Sequence, residues 1–232
     1  MNNNSALKEI AVDLAGAATQ LTVAGLMRGW SGQMSARSVI GEESSIVLKR
    51  SGGNPEDPAA YCRVDMKGGV LEPVGAKSSI VTRIHCAIYA SRPDVHAVIQ
   101  CRGLYADAVA SVIGKMPLSL ETYWALKAEP VVIDQDALRS DTFDQYVDKM
   151  VAEVSGALAK SDEGTTVVCI PFYGMWVVGA SVAEVVTRAI AIEELAKSAY
   201  LRISLAANLR EPAPDFPIWF DNLLLNLSRP RT

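Results

Sequence analysis

The sequence predicts an α/β fold in which helices cover both faces of a sheet that is at least partly antiparallel. Three observations carry this. Helix-period and strand-period segments are interleaved along all 232 residues rather than segregated. Two pairs of adjacent strands, in 61–74 and 165–180, are joined by short turns, as antiparallel neighbours require. No repeat, low-complexity tract or composition shift marks a linker, so residues 1–232 read as one domain.

The elements follow in order. Leu7, Ile10, Leu14, Ala17, Ala18, Leu21 and Ala24 form one stripe of a helix over 5–29, with Asn4 or Ser5 as its cap. Gly29 and Gly32 break it, and a strand or loop follows. SSIVLKR (44–50) is a strand, SGGNPEDPAA (51–60) a loop, and residues 61–74 a hairpin around Lys67-Gly68-Gly69. Residues 77–94 form a helix capped by Ser78 or Ser79 and stopped before Pro93. VHAVIQC (95–101) is a strand, 103–113 a helix, and 116–133 a short helix and a strand. Residues 140–160 are an amphipathic helix, and 165–180 are two strands with a turn near Tyr173-Gly174. The longest helix covers 181–208, with Ser181 and Glu184 spaced as a capping box. Pro212, Pro214 and Pro217 break the chain, and a short amphipathic tail within 209–232 is expected to pack on the domain or on a neighbouring subunit.

Composition narrows the function classes. Apolar residues make up 50% and charged residues 21%, which suits a globular core. A net charge of −4 argues against nucleic acid or an anionic membrane as partner, since both need a basic face. Cys62, Cys86, Cys101 and Cys169 lie in apolar surroundings with no CxxC spacing, as buried free thiols do. The N-terminus lacks a signal-peptide pattern and no apolar run reaches membrane-spanning length, so a cytoplasmic protein is expected.

Residues 77–103, KSSIVTRIHCAIYASRPDVHAVIQCRG, carry a resemblance. They are similar to the Lys-Pro-Ser-Ser-Glu, His, Tyr, Arg-Pro-Asp and His-x-His series of the class II aldolase/adducin family. GLMRGWSGQMSAR (25–37), Ser51-Gly52 and VCIPFYGMWVVG (168–179) resemble further motifs of that family, in the same order. The resemblance spans roughly residues 7–205 and is specific as an ordered set. It implies a three-layer α/β/α sandwich with a mostly antiparallel central sheet, assembled as a homo-oligomer, most often a tetramer, with a small-molecule pocket between subunits.

In the family the two His of His-x-His and a later His bind zinc, and the Glu of Ser-Ser-Glu is the acid/base. Here those positions fall on Gln100, Arg102, Tyr173 and Val81, so all four are replaced. On a strand, residues two apart face the same way, so a His-x-His pair can chelate one ion. Gln is a poor zinc ligand, and Arg carries a fixed positive charge. The chain has only two histidines, His85 and His96. No metal and no other cofactor are expected, and Cys101 faces away by alternation. The family's phosphate turns correspond to Gly32, Gln33, Ser51, Gly52 and Ser79, with Lys49 and Arg50 alongside, so an altered polar-group site is expected.

Arg102 would then supply the charge the metal supplies elsewhere, with Tyr173 moving a proton and Gln100 orienting a carbonyl. Against this stands a plain Arg–Tyr–Gln network filling the space. His85, one turn from the Val81 position, would be a general base if its helix stripe lines the cleft; otherwise it is a packed helical histidine. Three functions compete. The first is a metal-independent lyase, cyclase or dehydratase acting on a small carbonyl or carboxylate compound, with specialised biosynthesis as a natural setting. The second is a non-catalytic adducin-like module, and the third a divergent zinc aldolase.

Overall fold

The computed structural model describes residues 3–28, 31–40, 43–117, 119, 124, 126, 128–159 and 165–209. The elements in chain order are α1 (Asn3–Val23), β1 (Gln33–Ile40), β2 (Glu43–Lys49), β3 (Tyr61–Asp65), β4 (Val70–Glu72), α2 (Thr82–Ser91), β5 (Ala97–Cys101), α3 (Leu104–Ile113), β6 (Val131–Val132), α4 (Phe143–Ala159), β7 (Val167–Ile170), β8 (Gly174–Gly179) and α5 (Val182–Leu209). The tail beyond Leu209, with Trp219, Phe220, Leu223, Leu224 and Leu225, lies outside the described residues, as does most of the short helix expected after Met116.

Among the described residues eight strands form one sheet in the order β4-β3-β2-β1-β5-β8-β7-β6. Only the β6–β7 pair is parallel. Alternation along the strands splits the core into two clusters. On the first face Met34, Val47, Ile99, Cys101, Cys169, Met175 and Val177 pack under α1, α3 and α5. On the second, Ile46, Leu48, Val98, Val168, Trp176 and Val178 pack under α2 and α4. This is the expected three-layer arrangement, and Cys101 sits on the face opposite the strand-end pair, as alternation requires.

Several boundaries move. α1 ends at Val23, six residues before its expected end, in a turn closed by Gly25 N–H to Thr22 O (3.0 Å) and Leu26 N–H to Leu21 O (2.8 Å). Leu21 and Leu26 are both buried, so the turn is anchored in the first-face core. α2 begins at Thr82, not at 77, and neither Ser78 nor Ser79 caps it: Val81 stands at the N-cap without a side-chain bond. Residues before it are held elsewhere, with Ser51 N–H donating to Lys77 O (3.1 Å). The α5 start matches its expected box in part. Ser181 Oγ accepts from Glu184 N–H (3.2 Å), while the Glu184 carboxylate takes Ala180 N–H (2.6 Å). Arg188 locks this end by pairing with Glu184 (2.5 Å) and donating to Val178 O (2.6 Å).

Candidate active site

Antiparallel pairing brings the start of β1, the end of β2, the end of β5 and the β7–β8 turn to one end of the sheet. Gln33 registers with Gln100, and Gln100 registers with Trp176. Gln33 also donates to Lys49 O (2.7 Å), which ties β1 to the end of β2. Gly32 is fixed by closeness: a Cβ there would meet Met27 Cε at 2.7 Å and Gln100 O at 3.1 Å, and its φ of 87° suits glycine alone. Gly32, Gln33 and Gln100 are thus neighbours. The Ser51-Gly52 turn and the stretch leading to Ser79 adjoin through the Ser51–Lys77 bond. Lys49 and Arg50 do not line this turn freely. Lys49 is buried and donates to Gly53 O (3.3 Å), and Arg50 donates to Ala59 O (2.5 Å). Both basic groups hold the 51–60 loop.

Arg102 follows β5 directly, and its side chain is exposed. Its Nε donates to Tyr173 O (2.8 Å) and its Nη2 to Phe172 O (2.9 Å). Among the described residues it has no carboxylate partner. Arg102 and Tyr173 are therefore brought together, though through the tyrosine's backbone. The Tyr173 hydroxyl is pushed up to about 12 by burial, with Tyr146 adding to the rise and Arg102 opposing it. Tyr146 from α4 is raised by its own burial and eased by Arg102. It completes a cluster of two phenols beside one guanidinium.

The turn that Arg102 grips spans Ile170–Tyr173 and is closed by Tyr173 N–H to Ile170 O (3.0 Å). Proline in second place and a positive φ (63°) at Phe172 in third fit a type II turn. A left-handed phenylalanine costs roughly 1–2 kcal/mol. The turn is held from outside: Asp107 of α3 accepts Phe172 N–H (2.5 Å), and Gln135 donates to Pro171 O. Gly174 after it has no room for a side chain, since a Cβ would collide with Cys101 O.

His85 lies elsewhere. It is 0% exposed, under the second face, with its ring edge on Trp176 (centroids 5.2 Å apart). Ser35 Oγ lies 2.7 Å from its Nδ1 and 2.9 Å from the Tyr89 hydroxyl. Arg37 covers the Tyr89 ring at 5.0 Å and donates to Tyr89 O (2.9 Å). Burial pushes His85 down to about 3, so the ring is neutral at ordinary pH. Thr82 Oγ1, His85 Nε2 and Trp176 Nε1 are buried without a hydrogen-bond partner among the described residues. His96 is exposed at the start of β5, and Arg83 pairs with Asp148 on the surface.

Sequence reasoning missed Ser35, Tyr89, Tyr146, Asp107 and Phe172. Ser35 had a signal, since it stands two residues from Gln33 on the same strand face. The Pro171-Phe172 turn had one too, in the proline. Tyr146 and Asp107 reach the cluster from helices, which no local pattern reveals.

Among the described residues no three His, Cys, Asp or Glu side chains lie close enough to share an ion. No helix among them is long and apolar enough to cross a membrane.

The chain is similar to a methylthioribulose-1-phosphate dehydratase of Pseudomonas savastanoi pv. phaseolicola, 30% identical over 177 residues, 72% of this chain and 84% of that protein. Among solved structures it is similar to the L-fuculose-1-phosphate aldolase of Thermus thermophilus, with a TM-score of 0.67 at 19% identity, covering 88% of this chain and 98% of that one. An aldolase II superfamily protein from Pseudomonas syringae gives a TM-score of 0.70 at 18% identity, covering 97% and 86%. The family model described as class II aldolase and adducin N-terminal domain matches residues 12–200, and the chain belongs to that family.

Proposed function

We propose that the protein is a metal-independent lyase of the dehydratase type, acting on a small β-hydroxy carbonyl or carboxylate compound. The observation that carries it is Arg102: a guanidinium fixed by two turn carbonyls, unpaired with any carboxylate among the described residues, beside a protonated phenol. The similarity to a dehydratase supports the reaction class. The side chains at the three positions where the family resemblance expects zinc ligands do not fit zinc. They are an amide, a fixed cation and a phenol that stays protonated at neutral pH.

Arg102 holds the carbonyl or carboxylate oxygen of the substrate and stabilises negative charge as it grows there. The positive guanidinium thereby acidifies the neighbouring C–H. The α proton and the β-hydroxyl leave together as one water. In one concerted step the α C–H electrons form the double bond as the β C–O bond breaks; the Tyr173 O–H gives its proton to the departing hydroxyl, making water, while its oxygen takes the α proton, so the phenol ends as it began. Gln100 orients the substrate. Gly32, Gln33, Ser51, Gly52 and Ser79 hold its polar end through hydroxyls and backbone N–H groups. His85 positions the floor behind Gln100 through Trp176.

The test is elimination of water from phosphorylated and unphosphorylated β-hydroxy ketones, methylthioribulose 1-phosphate among them. Metal content and activity are measured before and after chelation. Turnover that survives chelation and is lost in Arg102→Ala and Tyr173→Phe is expected. One tightly held zinc per chain, with activity lost on its removal, overturns the reading.

A further inference from the structure

Phe172 is the least comfortable residue of the candidate site. Its φ is 63°, and the residue is 67% exposed, so little packing among the described residues rewards the conformation. Side chains from two other elements fix it nonetheless. Asp107 takes its N–H, Arg102 takes its carbonyl, and Arg102 also holds the next carbonyl, that of Tyr173. A strained backbone fixed from both sides, with its side chain in solvent, is the pattern of a residue kept for contact with a ligand. The same guanidinium holds Phe172 and stands at the mouth of β5. A group bound to Arg102 therefore lies beside the phenylalanine. A second exposed ring, Phe143 (63%), stacks on Tyr146 at 6.4 Å, and Tyr146 is close enough to feel both Arg102 and Tyr173. On the α4 side Tyr146 is thus the aromatic neighbour of the charge, with Phe143 stacked on it.

The geometry points to Phe172 as a specificity-determining residue: the substrate carries an aromatic or bulky apolar substituent next to the oxyanion that Arg102 holds. This rests on the assignment of Arg102 above. An apolar substituent beside a fixed cation selects by burial on the ring, while the cation supplies attraction common to all carboxylates.

The probes are phenylpyruvate and pyruvate, titrated by ligand-detected NMR against the full-length protein. Phe172→Asn is the informative variant, because asparagine accepts a left-handed backbone and the turn survives. The native protein is expected to bind phenylpyruvate at least tenfold more tightly than pyruvate. Phe172→Asn is expected to lose that preference, with unchanged mass in light scattering and a melting temperature equal to or above the native one. Arg102→Ala is expected to weaken both probes. No measurable binding of phenylpyruvate, equal binding of the two probes, a preference that survives Phe172→Asn, or a fall in mass in that variant overturns the proposal. Pyruvate binding that survives Arg102→Ala overturns the Arg102 assignment instead, so the two failures are distinct.

Discussion

Two polar groups serve the second face of the sheet, and they are built on opposite terms. Around His85 the polar atoms are closed off. Ser35 bridges the ring and Tyr89, Arg37 lies over Tyr89, and the histidine is neutral under full burial. Around Arg102 the charge is exposed, its bonds go to backbone carbonyls, and a strained turn is held open beside it. A neutral network shut inside the core, with only part of its bonds made, gives specificity of packing. A fixed charge with no carboxylate partner among the described residues, clamped into place, is ready for a ligand. His85 and Arg102, both catalytic candidates by sequence, separate once their partners are known.

The largest expected effect falls on Arg102. Arg102→Ala removes the group proposed to stabilise developing charge, and a single such donor is worth roughly 10²–10³ in turnover. The same change removes two hydrogen bonds from an exposed side chain, about 1–2 kcal/mol. At roughly 2–4 °C per kcal/mol for a chain of this size, the melting temperature falls by no more than about 8 °C. Arg102→Lys keeps the charge but not the two-carbonyl grip, so intermediate turnover is expected. Steady-state rates and thermal melts on the same preparations read both quantities.

His85→Ala inverts that pattern. It empties a fully buried site against Trp176 and strips Ser35 of a partner. A cost of about 3 kcal/mol is expected, lowering the melting temperature by roughly 6–12 °C. Should Arg102→Ala prove the more destabilising of the two while turnover persists, the contrast between site and scaffold is broken.

The sequence made the layers legible because periodicity records burial directly. Val98, Gln100 and Trp176 on one face, with Ile99, Cys101 and Met175 on the other, follow from alternation alone. The meeting of Arg102 with the Tyr173 turn was legible through ordered motifs. The β1 segment QMSARSVI was harder, since Gln33, Ser35 and Arg37 are polar residues facing a buried layer. Their partners Lys49, His85 and Tyr89 are distant in the chain, so the strand carries no clean alternation. The start of α2 misled because Ser78 and Ser79 look like caps, yet a long-range backbone bond holds Lys77 out of the helix. The Phe172 conformation was hidden for a related reason. Its clamps, Asp107 and Arg102, come from 65 and 70 residues away.

The finest separation of the two groups is by pH. His85 has a folded value of about 3 against an ordinary value near 6.5. The unfolded chain therefore takes up a proton as pH falls through 6.5, while the folded ring does not until near 3. Stability from this group is complete above about 6.5 and is lost progressively as pH falls toward 3. At pH 5 the loss is about 1.5 units, or roughly 2 kcal/mol. Urea unfolding at pH 7 and pH 5 reads it, with His85→Gln as the reference. Carboxylates such as Asp94, held low by Arg92, titrate alike in both proteins and cancel in the difference. The native protein is expected to lose about 2 kcal/mol more than His85→Gln between the two pH values. Equal losses would mean that the ring takes up its proton in the folded state, which requires water or a counter-charge at His85 and makes it a titrating group like those of an open site.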